Sequence, residues 1–77
     1  MDWIYQLIEK ELHKQDLKWG KNQKHTIEQW HLILSEEFGE LSKELNEVVF
    51  RNKETKSAIN EAIQTMAVIC RLLENIK

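Results

Sequence analysis

A chain of 77 residues with two glycines, no proline and one cysteine has room for one domain, and a domain near this size buries only ~60% of the surface its unfolded chain exposes. The lone Cys70 excludes an internal disulfide, and no Cys/His group has the spacing of a structural zinc site, so oligomerisation is the remaining support for a thin core and the expected setting is reducing and cytoplasmic. The 11 basic and 13 acidic residues leave a net charge of -2, which argues against binding a nucleic-acid polymer through its backbone.

The N-terminal MDWIYQLIEKEL is amphipathic and acidic, unlike a signal peptide, and no apolar run is long enough to span a bilayer, so the expectation is a soluble protein without a membrane partner. Trp3, Ile4, Leu7, Ile8 and Leu12 recur at helical spacing and predict a first helix from about Asp2, its N-cap, to about Leu17. Gly20 breaks it, and WGKNQKH reads as a loop carrying the cluster Lys18, Lys21 and Lys24, either a solvated loop or a local anion site. Thr26 followed by Gln29 forms a capping box that opens a second helix running to about Phe50. RNKETKS is turn-like, and Thr55 or Ser57 caps a third helix reaching about Ile76. The predicted class is all-α, one domain over residues 1–77, with a three-helix protomer assembling into an oligomeric helical bundle.

The third helix shows a seam of Ile59, Ala62, Met66, Ile69, Leu73 and Ile76, read as core. Thr65, Val68 and Leu72 lie opposite with Glu61 and Gln64, so the helix should be contacted on two sides, the second by another copy of the chain in a dimer or tetramer. In the second helix, Ile27, Trp30, Leu34, Glu37, Leu41, Leu45 and Val48 make a seam with an acid in its middle. At about 100° per residue, Glu37 lies within roughly 20–40° of Trp30 and Leu41, with Glu40 one turn along and Glu36 on the same flank. Crowded carboxylates partly out of water repel one another unless a cation intervenes. Oxygen ligands without His or Cys suit Mg²⁺ or Mn²⁺, and Glu61 and Gln64 on the third helix repeat the one-turn spacing.

These residues resemble the all-α nucleoside triphosphate pyrophosphohydrolases, the superfamily of MazG, the dimeric dUTPases and phosphoribosyl-ATP pyrophosphatase. Glu36-Glu37-Phe38-Gly39-Glu40 matches their E-E-x-x-E, and Glu61-Ala62-Ile63-Gln64 matches their E-x-x-D except at Gln64. Upstream, KWGKNQKHTIEQWHLIL is similar to the MazG-like proteins of phages and mobile elements, and the resemblance covers roughly Trp19 to Leu73. It implies Mg²⁺-dependent cleavage of a (d)NTP substrate to a monophosphate and pyrophosphate, with removal of non-canonical nucleotides as one use. It further implies Glu37, Glu40 and Glu61 as metal ligands, Gln64 as a weakened fourth, and Glu36 as an outer ligand or the base that orients water. Lys53, Lys56 and Arg71 are candidate phosphate partners, each also readable as a plain surface charge. Trp19, His25 and Trp30 are candidates for holding the base, with Trp30 equally a core residue. Gly39, mid-helix between two expected ligands, points to close approach of another helix or of the nucleotide.

A neutral amide at Gln64 lowers the expected metal affinity. It supports the rival reading of a helical dimerisation or partner-binding module that keeps the fold after its metal site has decayed. Glu28 and His31 have the E-x-x-H spacing of di-iron bundles, but they point away from the seam.

Overall fold

In a computed structural model that describes residues 1–21 and 23–77, the chain forms three α-helices, α1 (Asp2–Trp19), α2 (Ile27–Arg51) and α3 (Lys56–Ile76). Asn22, within the predicted loop, lies outside the described residues. Among the described residues there is no strand, and no helix is long and apolar enough to cross a membrane.

Local chemistry fixes most of the helix ends. Met1, not Asp2, occupies the α1 N-cap position, without a side-chain capping bond; Asp2 sits in the first turn, where its charge favours the positive end of the helix dipole. The helix runs past Leu17 to Gly20, whose φ of 89° lies in the left-handed region, and its N–H donates to Asp16 O at 2.9 Å. The capping box of α2 forms as expected: the Gln29 N–H donates to Thr26 Oγ1 at 3.1 Å, and the Thr26 N–H donates to Gln29 Oε1 at 2.9 Å. Asn52, at a φ of 58°, closes α2 in the left-handed conformation that asparagine tolerates better than most residues. Thr55 is the N-cap position of α3 without a side-chain bond.

The helix α3 is the centre of the fold, packed against both α1 and α2, which do not pack against each other. The buried residues are Trp30 of α2, Gln15 of α1, and Ala58, Ile63, Thr65, Ala67 and Val68 of α3. This corrects part of the expectation for α3. Of the predicted seam, Ala62, Met66 and Ile69 are half-buried and none is fully buried, while Ile59, Leu73 and Ile76 are respectively 40%, 58% and 51% exposed. The face assigned to another copy is instead covered by the chain's own α1 and α2. The helix is apolar around most of its circumference, so periodicity could not decide which arc is covered. Ala58 and Ala67 bring little bulk to the chosen arc, and the buried Thr65 hydroxyl donates to Glu61 O at 2.8 Å, which removes the cost of enclosing it.

Two other expectations are corrected. Ile27 and Leu45 of the α2 seam and Trp3 of the α1 stripe are exposed. A Cβ added at Gly39 would meet nothing within 4 Å, so no other helix approaches there.

A polar clamp holds α1 to α3. Arg71 Nε donates to Gln15 Oε1 at 2.8 Å, and its Nη2 donates to Leu12 O at 2.7 Å and to Asp16 Oδ1 at 2.6 Å. Since α1 and α2 lie apart on α3, a cleft of about 240 Å³ opens between them, floored by Val68 and Arg71.

Candidate metal centre

The one-turn spacing in α2 sets Glu37 and Glu40 on one side of the helix, and α3 brings Glu61 against them. One carboxylate oxygen from each of the three lies within 4.8 Å of the others. Oxygens bound to one octahedral Mg²⁺ are ~2.9 Å apart when adjacent and ~4.2 Å apart when opposite, so the three side chains would have to draw together to share one ion. Glu40 is exposed and Glu37 and Glu61 are half-buried, so the group opens to solvent on one side.

The protein leaves this group electrically unfinished. Glu37 Oε2 and Glu61 Oε2 are both sealed from solvent and neither has a hydrogen-bond partner. A buried acceptor without a donor costs about 1–3 kcal/mol, more when charged. Burial raises the Glu37 carboxyl above its ordinary pKa, followed by the charges of Glu40, Glu11 and Glu36. Burial likewise raises Glu61, followed by the charges of Glu40 and Glu37 and by its contact with the Glu40 side chain. Buried oxygens lacking donors, hard ligand chemistry and a small mutual separation together fit a divalent cation.

The remaining predicted residues fall into distinct places. Glu36 is exposed and reaches the centre through its charge on Glu37. Gln64 is half-buried and lines a separate cleft of about 230 Å³ with Glu11 and Lys14 of α1, so the amide stands on the α1 side of α3. Trp19 and Trp30 wall the 240 Å³ cleft that has Glu37 at its edge, with Gln15 and Gln23 as polar lining. Trp30 is both core and cleft wall. Its Nε1–H donates to Asn75 Oδ1, which also accepts the His25 N–H at 2.9 Å. The His25 ring meets Trp30 edge-on, with centroids 4.8 Å apart, and so supports the indole.

Of the cations expected to meet phosphate, none stands at the three carboxylates. Lys53 pairs with Glu44 at 3.0 Å, and Lys56 is exposed at the start of α3 beside Glu54. Arg71 is committed to α1, although its guanidinium also borders the tryptophan cleft and an adjoining hollow shared with Lys21 and Lys24. Glu28 and His31 are exposed, as expected of residues off the seam.

Sequence reasoning missed Glu11, Gln15 and Asn75. The signal for the first two was present, because Glu11 and Gln15 fall on the arc of Ile4, Ile8 and Leu12, as Glu37 interrupts the apolar seam of α2. Asn75 gave no signal, since its partners are 45 and 50 residues away in the chain.

Comparisons of the chain with protein families, curated proteins and solved structures found no match. The chemistry of the site therefore carries the functional reading.

Proposed function

We propose that the chain is a Mg²⁺- or Mn²⁺-dependent nucleoside triphosphate pyrophosphohydrolase that converts a (d)NTP to the monophosphate and pyrophosphate. The observation that carries this reading is the convergence of Glu37, Glu40 and Glu61 with two buried oxygens lacking partners, at the edge of a cleft walled by Trp19 and Trp30. The three glutamates would hold the cation, which when bound supplies positive charge to the phosphate oxygens. The indoles offer flat apolar surface to a base, and Asn75 and His25 fix the orientation of Trp30. Glu36, exposed next to Glu37 in the chain, would be the residue to accept a proton from an attacking water.

The solvent-facing arc of α3 supports assembly with a second copy of the chain. Ile59, Leu73 and Ile76 are exposed there, and Phe38, Leu45 and Val49 add exposed apolar surface on α2. Light scattering at micromolar concentration should give at least a dimer; a stable folded monomer would contradict the assembly.

The activity is tested with a panel of canonical and modified (d)NTPs, supplied with Mg²⁺ or Mn²⁺ and scored for pyrophosphate. Release from at least one nucleotide, abolished by chelation, is expected. No release from any of them would favour the rival binding module, which the neutral Gln64 also suits.

A further inference from the structure

The two walls of the tryptophan cleft are held by different means. Trp30 is 3% exposed, its indole N–H is tied to Asn75, and its ring is met edge-on by His25. Trp19, the last residue of α1, is 51% exposed. Lys18 Nζ lies over its ring at 5.0 Å, and the Gln23 amide donates to its backbone oxygen at 3.3 Å. Packing fixes the first indole in place. The second goes where the end of α1 goes.

That end of α1 has no apolar anchor. Since α1 and α2 do not pack against each other, α1 is seated by α3 alone. Its half-buried apolar residues are Ile4, Leu7, Ile8 and Leu12, and Leu17 beyond them is exposed. The inward arc continues instead through Gln15, which is buried, to Trp19 itself. Arg71 takes the place of the missing anchor. Its bonds go to Leu12 O, Gln15 Oε1 and Asp16 Oδ1, all within the two turns that lead into Trp19. The Asp16 carbonyl oxygen also accepts the Gly20 N–H that ends the helix. With a rise of 1.5 Å per residue, Asp16 lies about 4.5 Å along the axis from Trp19. The side chains of Arg71 and Asp16 are only 13% and 25% exposed, so their charge pair is screened less than one on the surface. Gln15 and Arg71 line the cleft as well, which sets the clamp directly beneath the Trp19 wall.

We infer that Asp16 is a positioning residue of the nucleotide cleft: through Arg71 it seats the end of α1 and thereby sets the Trp19 wall opposite Trp30. This rests on the nucleotide reading proposed above. It divides the labour among the helices. The end of α1 serves the base, while Glu37, Glu40 and Glu61 stand on α2 and α3 and hold the cation whether or not α1 is seated.

The test combines steady-state kinetics on the best substrate of the pyrophosphate panel, Mn²⁺ titration, and NMR relaxation of the two cleft indole N–H groups. The proteins are the wild type, Asp16→Asn, Trp19→Ala, their double variant, and Arg51→Gln as a control that breaks the Arg51–Glu47 pair. Trp19→Ala should raise KM about tenfold. Asp16→Asn should raise it about fivefold, with kcat and Mn²⁺ affinity unchanged. Arg51→Gln should alter none of these. Because Asp16 acts through Trp19, the double variant should match Trp19→Ala alone rather than multiply the two losses. Without ligand, Asp16→Asn should loosen the Trp19 indole and leave that of Trp30 as rigid as before. An unchanged KM in Asp16→Asn, losses that multiply in the double variant, or equal loosening of both indoles would overturn the inference while leaving the three-glutamate centre standing. If Asp16→Asn does not fold, Asp16→Glu keeps the charge but displaces it by one methylene, and the same outcomes decide. A wild type that releases pyrophosphate from no nucleotide overturns the proposed function and this inference with it.

Discussion

Two charged regions of α3 are treated in opposite ways. At Arg71, a cation that is mostly enclosed meets three acceptors from α1, so its charge is answered within the chain. About ten residues earlier along the helix, Glu61 meets Glu37 and Glu40, and two of the carboxylate oxygens there are enclosed with no donor. Both regions bear the cost of removing charge from water. Only the first is compensated by the protein itself. The clamp is therefore structural, and the acidic centre, left without a counter-charge in the chain, is the place where the proposed function puts a cation.

The contrast can be broken most severely at the clamp. Arg71→Met should cost about 3 kcal/mol and lower Tm by roughly 10–20 °C, because Asp16 and Gln15 lose their enclosed partner. Thermal unfolding followed by circular dichroism reads this directly, and an unchanged Tm would mean that α1 is held by its apolar contacts alone.

Substitution at the acidic centre should do the reverse. Glu37→Gln and Glu40→Gln are each expected to reduce pyrophosphohydrolase turnover about 100-fold while leaving the metal-free fold as stable as before or more so, because repulsion is relieved. A destabilised but active variant would invert the assignment of the two regions.

The pH dependence sharpens the comparison further. Burial and neighbouring acids raise the Glu37 and Glu61 carboxyls in the folded state above their unfolded values. Between those values the folded protein binds more protons than the unfolded chain, so the benefit is full below the unfolded pKa and is lost as pH rises through the folded one. The metal-free Tm should fall as pH climbs out of the ordinary carboxylate range, and saturating Mn²⁺ should flatten that fall. A metal-free Tm that rises over this window would contradict the raised carboxyls.

The smallest effect belongs to the cleft. Asn75→Ala leaves the Trp30 Nε1–H without its acceptor and should cost about 1 kcal/mol. It should also weaken nucleotide binding more than metal binding; equal losses in both would tie Trp30 to the core alone.

Much of this molecule was legible from residue patterns. The three helices follow from periodicity and from the Thr26–Gln29 box, whose partners are neighbours in the chain. Glu37 was legible because an acid on an apolar seam violates the pattern, Glu40 because it lies one turn along, and Glu61 only through the same spacing on the third helix and the family resemblance; the α2–α3 packing brings the three together. The covered arc of α3 was not legible: a helix apolar on most sides fits two arrangements equally, and the choice depends on where α1 lies. Arg71 was read as a phosphate partner because sequence cannot reveal that Leu12, Gln15 and Asp16 surround it from another helix. Gly39 has no packing explanation in the structure.

The central claim is that the three glutamates form a site for a divalent cation. The most direct test is an electron paramagnetic resonance titration of Mn²⁺ against the wild type and Glu61→Gln, reading the signal of the free ion. The account predicts saturable loss of that signal with the wild type and an affinity about 10- to 100-fold weaker with Glu61→Gln. Wild-type protein that leaves all the Mn²⁺ free, or equal uptake by the two proteins, would contradict it.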